Sequence, residues 1–151
     1  MAKLLAAVAA FLEGQGWAHE QLPGGAAMSF PFQGDDERWV CYAEAQEEQQ
    51  RVTFYSVCPF SIPGEQRLAA AEFITRVNYG LIVGNFELDL GDGELRFKTG
   101  VDVKGATLTP TLVERAVVPN LHAMNTYLAG ITAIVRGEFD TPEQLVAELD
   151  R

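Results

Sequence analysis

The residues of this 151-residue chain best suited to chemistry are its two histidines, His19 and His122, and its two cysteines, Cys41 and Cys58. A general base needs an orienting partner and a pocket that holds substrate. His19 lies in the polar run His19-Glu20-Gln21 and reads as an exposed strand or loop residue. His122 follows Leu121 on a helical stretch with no carboxylate or cysteine beside it. The cysteines sit in apolar, strand-like runs and form no CxxC pair, so neither zinc nor thioredoxin-like chemistry is expected of them. They read as small buried hydrophobes kept reduced in a cytoplasm. Asp89, Asp92 and Glu94 have the look of a calcium loop, but an EF-hand with its glycine at Gly93 would need oxygen ligands where Leu88 and Leu90 stand. Gly80, Gly84, Gly91 and Gly93 do not make a GxGxxG phosphate loop, and no GK[ST], GxSxG or HExxH appears. The chain therefore offers no catalytic residue, no metal ligand set and no cofactor site, and it reads as a non-enzyme.

Charge narrows the partners. The formal net charge is −10, from 11 basic and 21 acidic residues. Phosphate backbones and anionic membranes both reward clustered cations, so direct nucleic-acid and membrane binding are not expected. A basic protein partner, for instance a DNA-binding protein, suits this charge through electrostatic steering. Leu4 to Leu12 is an apolar run, but Ala7-Val8-Ala9 lies inside it and only Lys3 precedes it, which makes a poor secretion signal. Leu4, Val8 and Leu12 instead space as an amphipathic helix.

The elements that position these residues follow from periodicity. The first helix stops near Glu13. Trp17 to Leu22 reads as a short strand, and Met28, Phe30 and Phe32 as an edge strand, since Pro31 cannot donate to a ladder. Arg38 to Glu44 and Val52 to Phe60 are stronger strands. A four-residue loop, Glu47 to Gln50, sets Trp39 opposite Cys58, Tyr42 opposite Tyr55 and Ala43 opposite Phe54. One face then carries Trp39, Cys41, Ala43, Phe54, Ser56 and Cys58. The other carries Val40, Tyr42, Glu44, Thr53, Tyr55 and Val57, and is more apolar than a solvated surface. Asp35 to Glu37, Glu47 and Glu48 read as solvated turns, and no interleaved Lys or Arg makes the tyrosines a platform for bases.

Pro63 opens a helix whose buried stripe is Ala70, Phe73, Ile74, Val77 and Leu81. Asn85 to Leu90 and Leu95 to Val101 alternate about an Asp92-Gly93 turn, and a two-residue loop pairs Leu90 with Leu95 and Asp89 with Arg96. Thr109 and Pro110 start the last long helix, Pro119 predicts a break or kink, and Thr141 starts a short terminal helix. Strands grouped between helices mean one α+β domain, residues 1–151, with an antiparallel sheet in the order α-β-β-β-α-β-β-α.

The stretch NYGLIVGNFELDLGDGELRFKT, Asn78 to Thr99, resembles the signature of the bacterial YbjN-domain family, and FYSVCPFSIP, Phe54 to Pro63, is similar to the strand that leads into its central helix. The likeness runs from about Trp39 to Gly137; the N-terminal helix is generic. It implies a fold similar to type III secretion chaperones, and a cytoplasmic, commonly dimeric protein of sensory or regulatory role. It supplies no catalytic motif and no client. The expectation is a homodimeric adaptor or chaperone-like protein that holds another protein, with Val40, Tyr42, Tyr55 and Val57 at an interface. A small-molecule sensor with a pocket lined by the aromatic strands is the alternative.

Overall fold

The computed structural model describes residues 2–150; Met1 and Arg151 lie outside them. Helix α1 (Lys3–Gln15) is followed by strands β1 (Glu20–Gln21), β2 (Ala27–Gln33), β3 (Arg38–Gln46) and β4 (Arg51–Val57). A single 3₁₀ turn (Gly64–Gln66) leads into α2 (Arg67–Gly80), then β5 (Asn85–Leu88), β6 (Leu95–Asp102), α3 (Pro110–Arg136) and α4 (Pro142–Leu149). The expected order holds, the short strand expected at Trp17 to Leu22 being β1 and the short terminal helix after Thr141 being α4. The six strands form one antiparallel sheet, β1-β2-β3-β4-β6-β5. Chain reversal after α2 puts β5 at the edge and β6 beside β4.

Burial alternates along each central strand, so one face of the sheet is core and the other is not. The core face carries Phe30, Trp39, Cys41, Ala43, Phe54, Phe97 and Thr99. All four helices pack on that side or on one another. Helix α3 lies across β4 and β6, where Thr99 Oγ1 donates to Ala116 O at 2.7 Å. The Asn120 amide donates to Phe54 O at 3.0 Å and to Phe97 O at 3.2 Å. Helix α1 packs beside α3 and over β3, and Trp17, just beyond its end, packs on Phe11 and stacks on Phe30 of β2. Its free N-terminal amides find a carboxylate: Leu4 N and Leu5 N donate to Glu47 at 3.0 and 3.3 Å. Glu47 is thus a helix cap, not a solvated turn residue. Aromatic contacts Phe73–Tyr127 and Phe86–Tyr127 join α2 and β5 to α3.

The first hairpin has the expected register: Tyr42 lies opposite Tyr55 and Ala43 opposite Phe54 across a loop of residues 47–50. Pro31 sits where β2 is the edge, since β1 covers only Met28 and Ser29.

Two expectations are corrected. The second hairpin pairs Leu88 with Leu95 and Glu87 with Arg96, two residues out from a two-residue turn. Residues 89–94 form a wider loop, because its backbone has stronger partners elsewhere. Asp89 Oδ1 takes Gly91 N at 2.7 Å, Arg67 donates to Leu90 O and Gly91 O, and Gly93 O accepts from Ile62 N at 2.9 Å. An even slip keeps the faces, so Phe86, Leu95 and Phe97 stay buried while Leu90 is exposed. The second correction is α3, which runs unbroken from Pro110 to Arg136 through Pro119. Burial of Val113, Ala116 and Val117 before the proline, and of Asn120, Leu121 and Met124 after it, holds both halves on one sheet. Tertiary packing outweighs the loss of one backbone donor.

Candidate functional site

With every described helix on one side, the outer face of the sheet has no intramolecular cover among the described residues. Val40, Tyr42, Tyr55 and Val57 all project from it, Val40 being 42% exposed and the others partly so. Val40 lies opposite Val57 and Pro31, and Tyr42 opposite Tyr55, so the four are one contiguous patch across β2, β3 and β4. The N-terminal helix does not cover it.

Beside the patch stands a feature that hairpin-by-hairpin reading missed. Pairing of β4 with β6 sets Tyr55 opposite Lys98 and Val57 opposite Arg96. The Arg96 guanidinium lies 4.2 Å from the centre of the Tyr55 ring, a cation–π contact. Glu87 accepts from Arg96 Nε at 2.9 Å and from Lys98 Nζ at 2.7 Å. Desolvation pushes the Glu87 carboxyl up, but the hydrogen bonds and charges of Lys98 and Arg96 outweigh it and hold the group below its usual range. The strand residues of this face carry Arg38, Arg51, Arg96 and Lys98 against Glu20, Glu44, Glu87 and Asp102, a balanced set in a chain of net charge −10. The acidic surplus therefore lies elsewhere.

The candidates for chemistry are scattered. His19 Nδ1 donates to Trp17 O at 3.1 Å, and its Nε2 lies 3.7 Å from Glu13, at the end of α1. His122 is exposed on α3, at the rim of a groove of about 310 Å³ with Trp17, Phe32, Val118 and Leu121. Among the described residues no three His, Cys, Asp or Glu side chains stand together as a metal site. No described helix is long and apolar enough to cross a membrane.

Cys41 and Cys58 are free and buried, and burial pushes both thiols up to about 12. The thiolate is the reactive form, so alkylation of the folded protein at pH 8 should run on the order of 10³-fold slower than that of a free thiol. Mass spectrometry after iodoacetamide should find both unmodified in native protein and both labelled in urea. Rapid native labelling would show that the core opens.

The family described as "putative bacterial sensory transduction regulator", YbjN, matches residues 4–132. The chain belongs to the YbjN family. The match includes α1, which its sequence alone marked only as generic. No curated protein matches the sequence. Among solved structures the chain is similar to YbjN from E. coli, at TM-score 0.66 and 12% identity over 85% of this chain and 91% of that one. At that identity the likeness shows the YbjN fold. Weaker likenesses are to the HopA1–SchA chaperone–effector complex (TM-score 0.49, 14% identity, 84% of this chain and 91% of that one) and to the Yersinia pestis type III secretion chaperone SycH with a fragment of YscM2 (0.47, 16%, 78% and 96%).

Proposed function

We propose that this YbjN-family protein is a non-enzymatic, cytoplasmic, chaperone-like regulator that acts as a homodimer and holds a client protein. The observation that carries the reading is the uncovered sheet face bearing Val40, Tyr42, Tyr55 and Val57. Contiguous apolar patches on soluble proteins mark interaction sites, and tyrosine is enriched where proteins meet. Charge supports a second copy as the occupant. Two chains of −10 repel over most of their surfaces, whereas the outer face is balanced and adds no repulsion of its own. The acidic surplus, which sits in connecting segments such as Asp35, Asp36 and Glu37 and Glu138 and Asp140, then remains free to steer a basic client, for instance a DNA-binding protein. Direct binding to nucleic acid or membrane is not part of this function.

Tyr42→Glu with Tyr55→Glu tests it, because both side chains are partly exposed and point away from the core. Light scattering should give twice the 16.5 kDa chain mass for the parent and the chain mass for the double variant. Circular dichroism should show both folded. A parent already monomeric at tens of micromolar ends the idea, and so does a double variant that stays dimeric.

A second reading, a small-molecule sensor, is favoured by the groove at Trp17, Phe32 and Val118, one wall of which is an aromatic strand. At about 310 Å³ it reaches the lower end of ligand-pocket sizes. A saturable rise in melting temperature with one metabolite of a panel, lost in Val118→Trp, would favour it.

A further inference from the structure

The two most exposed large apolar residues, Tyr79 and Ile82, flank the end of α2, where the chain turns towards β5. Tyr79 is 95% exposed, Ile82 98% and Val83 49%, within the sequence Asn78-Tyr79-Gly80-Leu81-Ile82-Val83-Gly84. Water-facing loops are ordinarily polar, and this one is built to hold its shape. At its base, the Asn78 side chain donates to Phe86 O at 3.1 Å and accepts from Phe86 N at 2.8 Å, closing the loop like an extra strand pair. Gly84 then presses the returning chain onto β6. Its φ is +78°, and a Cβ there would lie 2.6 Å from the Phe97 ring and 2.8 Å from Lys98 O. The tip is therefore pre-organised, which lowers the entropic cost of docking.

Next to the tip, on the uncovered face, is a groove of about 510 Å³ whose lining includes Tyr55, Val83 and Gly100 beside the polar Arg51, Thr53, Lys98 and Asp102. Gly100 contributes no side chain, which deepens it. Knob and hole thus adjoin on one surface, as a two-fold interface requires, since each copy must offer both. We propose that the Tyr79–Val83 tip of each copy seats in the groove of the other, locking the dimer of the preceding section, on which this inference rests. Burying Tyr79, Ile82 and the groove walls from both copies removes on the order of 1,000 Å² from water, the threshold for a stable interface. The tip also continues the Tyr42–Tyr55 patch, so the combined surface exceeds that threshold.

Ile82→Asp is the test, since a residue 98% exposed can change without disturbing the core. Sedimentation should show dimer affinity at least ~30-fold weaker, because a desolvated carboxylate costs upwards of about 2 kcal/mol, with the melting temperature of the monomer unchanged. As an independent readout, an equimolar mixture of Ile82→Cys protein with Thr53→Cys protein should form a mixed disulfide under mild oxidation. Each variant alone should cross-link less. If Ile82→Asp stays dimeric while Tyr42→Glu with Tyr55→Glu dissociates, the tip has no part in the interface and the uncovered-face dimer stands. If the parent is monomeric, both fall.

Discussion

Asn120→Asp should be the most damaging single change of one heavy atom in this protein. Asn120 is 2% exposed, and its amide nitrogen faces Phe54 O, Phe97 O and Thr99 Oγ1 at 3.0–3.2 Å. An ionised carboxylate has no donor to give, and it would set a charge against two backbone carbonyls in a dry layer between α3 and the sheet. Leaving such a charge uncompensated costs about 3–5 kcal/mol, a fall in melting temperature of roughly 10 °C or more for a chain of this size. Asn120→Ala removes the donor without adding a charge and should cost only about 1–3 kcal/mol. The difference between them should shrink as pH falls from 7 towards about 4, below which the acid is neutral in both folded and unfolded chains. Thermal melts at pH 7 and pH 3.5 measure this. An Asp variant as stable as the Ala variant at pH 7 would place Asn120 in a wetter site than the structure gives it.

Gly93→Ala should rank close behind, for a backbone reason. Gly93 has φ +81°, and a Cβ built on it lies 2.2 Å from Ile62 O and 3.1 Å from Arg67 Nε. The left-handed conformation costs a side chain about 1–2 kcal/mol, and overpacking adds roughly 1–3 kcal/mol. Relief would need Ile62 and Gly93 to part, which breaks their hydrogen bond. Gly105 is the matched control, since its φ is +79° with nothing within 4 Å of a Cβ. Gly105→Ala should cost about 1 kcal/mol. Denaturant melts of the two variants separate crowding from conformation, and equal losses would remove crowding from the account.

Gly93 also shows where the sequence misleads. Asp92-Gly93 between alternating strands is a sound signal for a two-residue turn, and the faces that it predicts are right. The register is wrong because the loop's carbonyls are taken by Arg67 and Ile62, which lie more than 20 residues upstream. Local pattern cannot see that competition. The first hairpin has no such competitor, and its register follows from alternation and loop length alone. Pro119 fails as a signal for the same reason as the turn, since contacts from β4 and β6 hold the helix across it.

The site divides along the same line. Which residues share the outer face is legible from period-two alternation, so Val40, Tyr42, Tyr55 and Val57 group correctly. That no helix covers them is a matter of packing, and α1 could have been placed on either face by its sequence. The Arg96–Tyr55 contact and the charge balance needed the β4–β6 pairing, which joins segments separated by α2. The exposed tip had a visible cue in Tyr79-Gly80-Leu81-Ile82-Val83, read instead as the end of a helix stripe. Leu81, expected in that stripe, lies past the end of the helix and is only half-buried, and Ile82 and Val83 are exposed.

The central claim is that the uncovered face of the sheet is buried against a second copy. Hydroxyl-radical footprinting across a dilution series reads this most directly, residue by residue. Oxidation of Val40, Tyr42 and Tyr55 should fall several-fold as concentration rises through the association range, while that of His122 on the helix side stays constant. Equal reactivity of the three at all concentrations, in a sample that light scattering shows to be dimeric, would place the interface elsewhere and contradict the account.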